Sequence, residues 1–206
     1  GKPVRGASTI VVDQGRIVSV TEGHRQPPAG ASVIDLRDKT ILPGLIDSHV
    51  HLASDRAGQE GAAAALGDSD ELNAFETQWN GMKTLRAGFT TVRNLGDGGG
   101  NTLALRDAIA RGWAQGPRIV DAAESISSTG GHMDFRNGLS DEMAERLPAP
   151  DNLCDGPEEC RKVVRNQIGR GADVIKFATT GGVNSGTGLA TRMLEEEARA
   201  LVETAH

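Results

Sequence analysis

The chain has 206 residues, which is enough for one ordinary domain with a sizeable core. Its formal net charge is −6, aromatic residues make up 3% of it, and it contains no tyrosine. An acidic chain without a Lys/Arg stripe or a stacking platform is a poor candidate for nucleic-acid binding, and no apolar run reaches the roughly 20 residues of a membrane span. We therefore expect neither nucleic acid nor a membrane as partner.

The first forty residues have the pattern of short β-strands. Residues 8–12 and 16–20 are two apolar runs joined by a glycine-containing turn, which predicts a hairpin. After the breakers Pro27, Pro28 and Gly30, residues 32–36 predict a third strand. Residues 1–40 are therefore predicted to form part of a small β domain, too small to be stable alone.

From about residue 41, apolar strands alternate with helical stretches. Strands are predicted at residues 41–52, 90–95, 117–122 and 173–178, and helices at 71–87, 102–111, 156–169 and from 193 onward. A long irregular loop is predicted over residues 124–150. Four strand–helix units predict a parallel sheet covered by helices, which is half of an eight-fold barrel, so residues 41–206 form the second predicted domain. An open flavodoxin-like sheet is the alternative, although no strand ends in a phosphate-binding glycine pattern.

The strongest chemical signal is the segment Gly44–Leu52, which contains His49 and His51. Side chains two residues apart on a strand point to the same side, so both imidazoles are expected to face the mouth of the barrel. Two converging imidazoles can hold a zinc-type ion. Asp47, on the same strand face, is a natural partner for a ligating imidazole.

The second signal is Lys176, which lies within the apolar run Asp173–Ala178. A lysine is costly to bury as a cation, and burial favours the neutral amine. A neutral amine can react with CO₂ to form a carbamate, an anion with two oxygens that can bridge two metal ions. The alternative is a lysine that reaches solvent from the end of the strand.

In these motifs, the chain resembles the amidohydrolase superfamily. Within it the chain is similar to the imidazolonepropionase-like and Xaa-Pro-dipeptidase-like branch, which includes prolidase-like, carboxypeptidase-like and bacterial ochratoxin-degrading enzymes. The likeness rests on four segments and extends over nearly all of the chain: residues 42–51, 88–93, 128–132 and 171–176.

The resemblance implies a (β/α)8 TIM barrel of amidohydrolase type, with strands 1–4 present here, and a small N-terminal β-sandwich part. It implies two divalent metal ions, with Zn²⁺ as the default, held by His49, His51 and a carbamate on Lys176. Such sites also need a histidine from strand five, a histidine from strand six and an aspartate from strand eight, and none of these is present. His206 precedes any fifth strand, so we expect these residues to be part of a longer protein.

Four further residues are candidates for substrate contact. The resemblance suggests that His132, in the loop after strand three, polarises the scissile carbonyl or holds a substrate carboxylate. Ser54 and Asp55 follow the histidine motif and are expected to face the barrel mouth. Arg93 ends strand two and could bind a carboxylate in a bidentate manner. The glycine-rich segment 179–188 lacks the Walker lysine and is interpreted as a loop over the active site.

The predicted function is metal-dependent hydrolysis of an amide bond to a C-terminal amino acid, in a dipeptide, an N-acyl amino acid or an aryl amide such as ochratoxin A. The resemblance implies that the two ions activate a bridging water and polarise the amide carbonyl. One alternative is a cyclic-amide hydrolase or deaminase of the same superfamily. Another is a non-catalytic binding or scaffold relative on the same fold. The resemblance also implies a homo-oligomer.

The two cysteines, Cys154 and Cys160, leave the compartment open. They are either two separate thiols or a short-loop disulfide formed in an oxidising environment. Together with a first residue that is Gly rather than Met, the pair favours a periplasmic or secreted protein, with the cytoplasm as the alternative.

Overall fold

The computed structural model describes residues 6–56, 64, 67–147, 150–182 and 188–206. The chain divides into two compact units, Gly1–Pro43 and Gly44–His206. None of the described helices is long and apolar enough to span a membrane.

The smaller unit contains an antiparallel hairpin. Strand β1 (Ser8–Asp13) pairs with strand β2 (Arg16–Glu22), and Thr9 lies opposite Thr21. The two turn residues, Gln14 and Gly15, have φ values of 47° and 73°, as a two-residue hairpin turn requires. The predicted hairpin is thus present.

The third strand predicted in this unit, Ser32–Leu36, does not form. The segment has no strand geometry, and the side chain of Ile34 is 81% exposed. Alternating apolar residues form a strand when a neighbouring strand accepts their backbone hydrogen bonds. Among the described residues, no strand pairs with this segment.

The larger unit is a mixed α/β structure around a parallel sheet. Its strands among the described residues are adjacent in the order β3 (Leu45–Val50), β4 (Phe89–Asn94) and β5 (Arg118–Asp121). The helices are α1 (Asp70–Arg86), α2 (Asn101–Ala110), α3 (Asp141–Arg146), α4 (Pro157–Arg170) and α5 (Glu195–Ala205). The predicted long loop thus contains the short helix α3. Helices α1 and α2 connect consecutive parallel strands, which makes two βαβ units. The described strands do not close into a barrel.

Capping residues explain the bounds of the helices. The Ser69 hydroxyl accepts a hydrogen bond from the Leu72 amide at the start of α1, and Asp70 and Glu71 add negative charge to the first turn. Helix α4 begins at Pro157 and ends where Gly171 takes a φ of +100°. The predicted α1 and α4 are therefore correct to within one residue at each end.

Strand β3 is shorter than predicted, since it begins at Leu45 and not at residue 41. Pro43 has no amide hydrogen to donate to a sheet. Gly44 lies so close to Thr90 of β4 that a Cβ added at residue 44 would be 1.9 Å from the Thr90 Oγ1. Pairing with β4 therefore starts one residue later, between Leu45 and Phe89.

The fourth strand predicted in this unit, Asp173–Ala178, is reduced to a single parallel bridge between Phe177 and Ile126. The Ile126 amide donates to the Lys176 carbonyl at 2.9 Å, and the Ala178 amide donates to the Ile126 carbonyl at 2.9 Å. Between β5 and this bridge the backbone turns at Ala123, which has a φ of 54°. The turn interrupts the ladder, so the segment lies beside the sheet without becoming a full strand.

In the part of the larger unit that the structure describes, two apolar clusters form the core. The first cluster lies between the sheet and α2 and consists of Leu52, Val92, Leu105 and Ile119. The second cluster joins α4 and α5 to the segment around Ile126. It consists of Ile126, Cys154, Cys160, Val163, Val164, Met193, Ala200 and Leu201. Cys154 and Cys160 are joined by a disulfide within the second cluster. The sequence left open two separate thiols or a disulfide, and the structure contains the disulfide.

Candidate functional site

The carboxyl ends of β3, β4 and β5 lie along one edge of the sheet. Because the strands are parallel, the residues that follow them meet at this edge. The Leu95 amide donates to the Val50 carbonyl at 3.0 Å, and the Ala122 amide donates to the Asn94 carbonyl at 3.0 Å. These bonds bring His51, Gly96 and the residues after β5 close together.

His49 and His51 lie side by side at the end of β3. Their ring centroids are 5.4 Å apart and the rings are inclined at 62°. The His51 ring donates from Nδ1 to the Gly96 carbonyl oxygen at 2.9 Å. Asp47 accepts from the backbone amide of His49 at 3.0 Å, so its carboxylate orients the strand end and not the imidazole ring.

Lys176 and Arg93 contribute positive charge beside His49. Desolvation is the main cause that lowers the pKa of the His49 imidazole, and the charges of Lys176, His51 and Arg93 lower it further. The neutral imidazole is therefore favoured, which is the form that binds metal ions. The Arg93 Nε donates to the Ser48 carbonyl at 2.8 Å, which places the guanidinium next to β3.

These residues fit part of a metal centre. Two neutral imidazoles and a lysine that can become a carbamate are donors that zinc-type ions accept. Nδ1 of His51 donates its hydrogen to the Gly96 carbonyl oxygen. In the neutral ring, the free lone pair is therefore on Nε2. Among the described residues, no group of three or more His, Cys, Asp or Glu side chains converges on one point.

A buried acidic pair lies at the same edge of the sheet. Asp121 is fully buried at the end of β5, and burial raises its pKa to about 6, with the neighbouring Asp97 carboxylate contributing to the rise. Burial also raises the pKa of Asp97, which accepts bonds from the amide and hydroxyl of Thr102. The Asn94 amide group donates to Asp121 at 3.3 Å.

Ser54 and Asp55, predicted to face the barrel mouth, contact helix α1. The Ser54 hydroxyl donates to Glu76 at 3.1 Å, and the Asp55 carboxylate forms an ion pair with Lys83. Arg56 adds ion pairs to Glu76 and Asp68. These contacts connect the end of β3 to α1. A role of Ser54 and Asp55 in substrate contact stays a prediction.

His132 lies in the loop after β5 and packs against Gly182. A Cβ added at Gly182 would be 2.3 to 2.9 Å from three atoms of the His132 ring. The His132 Nδ1 is buried and has no hydrogen-bond partner among the residues that the structure describes. Asn152 supports this loop by donating to the carbonyls of Ser125 and Met133. Of the predicted glycine-rich loop, residues 183–187 lie outside the described residues.

The family model of the amidohydrolase family matches residues 40–206, which is most of the chain. The chain belongs to the amidohydrolase family. Members of this family in general use divalent metal ions, in keeping with the paired imidazoles.

Several relatives of known activity resemble this amidohydrolase chain. It is 28% identical over 199 residues to an ochratoxinase of Aspergillus niger, an alignment that spans 90% of this chain and 40% of the relative. The crystal structure of a Xaa-Pro dipeptidase with methionine bound in its active site superposes with a TM-score of 0.87 at 38% identity, covering 95% of this chain and 48% of that one. A prolidase complexed with N-methylphosphonate-L-proline gives a TM-score of 0.80 at 35% identity, with 96% and 48% covered. The chain spans about half the length of the relatives it matches.

Further residues of this amidohydrolase site were not predicted from the sequence: Gly96, Asp97, Asp121 and Ser125. A signal for the first two was present, because the run Leu95–Gly100 follows a strand and holds four glycines, and glycines after a strand allow close backbone approach. Nothing in the sequence marks Ser125, whose hydroxyl donates to the Leu95 carbonyl 30 residues away.

Proposed function

We propose that this chain belongs to an enzyme that hydrolyses the amide bond to a C-terminal amino acid. The observation that carries the proposal is the placement of the His49 ring beside the His51 ring, with centroids 5.4 Å apart, at the end of β3. That arrangement lies at the carboxyl end of parallel strands in a chain of the amidohydrolase family, where barrel enzymes have their active sites.

In this proposal His49, His51 and Lys176 hold two divalent ions, with Zn²⁺ in first place. Lys176 binds as a carbamate: its neutral ε-amine forms a bond to the carbon of CO₂ and releases one proton, which leaves an anion with two oxygens. When bound, such ions polarise a carbonyl and make water a better nucleophile at neutral pH.

The other side chains of the site bind and orient the substrate. Arg93 is exposed next to His49, and apart from the bond to Ser48 its guanidinium makes no hydrogen bond to the described residues. Its planar fork suits the carboxylate of a C-terminal amino acid. His132 is held by its loop and by Gly182, and we propose that it contacts the scissile carbonyl or the substrate carboxylate.

The substrate class follows from the relatives. The solved dipeptidase carries an amino acid, the prolidase carries a proline derivative, and the ochratoxinase is named for ochratoxin. We propose dipeptides, N-acyl amino acids or aryl amides such as ochratoxin A as substrates. A cyclic-amide substrate is the alternative outcome of a substrate screen.

For the whole protein we propose a closed (β/α)8 barrel with a small β-sandwich part, of which residues 1–40 are a portion and residues 41–206 the first half of the barrel. We also propose a homo-oligomer, which the exposed apolar side chains of Phe75 and Trp113 support, at 74% and 75% exposure. A periplasmic or secreted location is proposed from the disulfide.

The experiment compares the purified whole protein, with the remaining barrel strands proposed above, with its Lys176→Ala variant. The ion content per chain is measured by mass spectrometry, and hydrolysis of an N-acyl amino acid, an Xaa-Pro dipeptide and ochratoxin A is measured in parallel. We expect about two divalent ions per chain in the unchanged protein and loss of both ions and turnover in the variant.

Lys162→Ala is the matched control, because Lys162 is an exposed lysine of α4. It should keep the ion content and the rate of the unchanged protein. A Lys176→Ala variant with full ion content and full turnover would show that the carbamate assignment is wrong.

A further inference from the structure

The ring of His51 is held by a backbone carbonyl. Its Nδ1 lies 2.9 Å from the Gly96 oxygen. A carbonyl oxygen accepts hydrogen bonds and cannot donate one, so Nδ1 carries the hydrogen and Nε2 of the neutral ring carries the lone pair. The contact therefore selects one of the two tautomers of His51.

Three hydrogen bonds hold the Gly96 carbonyl in this position. The Leu95 amide donates to Val50 at 3.0 Å, and the Asp97 amide donates to Ala123 at 3.1 Å. The buried hydroxyl of Ser125 donates to the Leu95 carbonyl at 2.6 Å. The peptide units on both sides of Gly96 are thus tied to β3 and to the segment after β5.

Residue 96 has no room for a side chain. Its φ is +112°, which residues with a Cβ rarely adopt. A Cβ added there would be 2.2 Å from the Ser125 hydroxyl oxygen and 3.0 Å from the Ser125 amide nitrogen. A larger residue at this position must therefore shift its own backbone, the Ser125 hydroxyl or both, and so disturb the contacts that hold the Gly96 carbonyl.

We infer that Gly96 and Ser125 are positioning residues that set the tautomer of His51 and direct its Nε2 lone pair toward the cation site. The part that concerns the cation rests on the proposed function, whereas the part that concerns the tautomer does not. Ligating histidines are commonly oriented by a hydrogen bond to the other ring nitrogen, and loss of that bond typically costs 10- to 100-fold in metal affinity, as an order of magnitude.

The tautomer is measured on metal-free protein by ¹H–¹⁵N spectroscopy of labelled histidine side chains, at about pH 8, where an ordinary imidazole is neutral. The His51 signals are assigned by their absence in His51→Gln. We expect the Nδ1–H form in the unchanged protein. Gly96→Ala should shift His51 away from that form, and its affinity for Zn²⁺ alone should fall by about 10- to 100-fold. Ser125→Ala should produce a smaller change in the same direction.

Gly100→Ala is the matched control. Gly100 lies in the same loop with a φ of +73°, and no atom of the described part of the chain lies within 4 Å of a Cβ added there. It should leave the tautomer and the Zn²⁺ affinity unchanged.

If Gly96→Ala does not fold, the unchanged protein and Ser125→Ala still decide the question. An Nε2–H form of His51 in the unchanged protein overturns the inference, as does a Ser125→Ala variant that has the tautomer and the Zn²⁺ affinity of the unchanged protein. Absence of Zn²⁺ binding by the unchanged protein overturns the proposed metal centre and the directing role of the pair, and the tautomer result then stands by itself.

Discussion

The surroundings of Asp121 disfavour the charged form of its carboxyl group. Its side chain has no exposure to solvent, and one oxygen accepts from the Ala123 amide at 2.7 Å. Burial together with the Asp97 carboxylate raises its pKa to about 6. The folded protein therefore binds a proton at Asp121 in a pH range where the unfolded chain has released it.

This difference predicts that the Asp121 contribution to the free energy of unfolding is largest at low pH. It is fully present below about pH 4, falls as the pH rises toward about 6, and amounts to roughly 2 to 3 kcal/mol over that range. Asp121→Asn removes the titrating group, so the decrease in stability with pH should become smaller by that amount, even if the amide lowers stability at every pH. Urea unfolding at several pH values between 4 and 8 measures it.

The control for this prediction is Glu145→Gln, since Glu145 is an exposed acid of α3. Its stability should depend on pH as that of the unchanged protein does. An Asp121→Asn variant with the same pH dependence as the unchanged protein would contradict the assigned burial effect.

At the level of elements, a single carboxylate joins the starts of α4 and α5. Glu197 is 5% exposed, and its two oxygens accept from the Gly156 amide at 2.7 Å and from the Leu194 amide at 2.6 Å. Both amides lie at helix N-termini, where unpaired donors and the helix dipole favour a negative charge. Glu197 thereby connects two helices that share the apolar cluster around Ile126.

Glu197→Ala should lower the free energy of unfolding by about 3 kcal/mol, because two part-buried hydrogen bonds to a charged group are lost. Glu197→Gln, which keeps one acceptor, should show roughly half of that loss. Glu196→Ala is the control, since the neighbouring Glu196 is exposed. The role assigned to Glu197 fails if the two alanine variants unfold at the same urea concentration.

The elements differ in how well the sequence predicted them. Helix α1 carries its own signals, such as Ser69 and the acidic first turn, so its bounds follow from local residues. The pairing of Ile126 with Phe177 spans 51 residues, and it depends on a backbone turn at Ala123 that no local pattern marks. In place of the strand predicted at residues 173–178, the structure therefore has a single β-bridge between Ile126 and Phe177.

The same distinction holds in the site. The spacing of His49 and His51 was sufficient to place both rings together, because alternation along a strand is a local rule. The partners of Ser54 and Asp55 could not be predicted, since they lie on α1 and depend on how the helix packs. The backbone oxygen of Gly96 carries no sequence signature of its own.

For the molecule as a whole, the disulfide between Cys154 and Cys160 stabilises the larger unit. It closes a loop with a sequence separation of 6, and both residues are within the apolar cluster. The Cys154 amide donates to the Ser127 carbonyl at 2.9 Å, which connects the bridge to the segment that leads to His132.

Replacement of both cysteines by alanine should lower the free energy of unfolding by about 2 kcal/mol, the amount expected for a short closed loop. Urea unfolding of the oxidised protein and of Cys154→Ala/Cys160→Ala measures it. Protein produced in an oxidising compartment should have no thiol that reacts in denaturant. Two reactive thiols per chain in such protein would contradict the bridge.

The contact between Gly182 and His132 has a consequence for how the family can diversify. The His132 ring occupies the space that a side chain at residue 182 would need. The two positions belong to loops that are 50 residues apart, yet a change at one restricts the other. Relatives with a side chain at the position of Gly182 should therefore carry a smaller residue at that of His132, so that the two loops evolve as a pair.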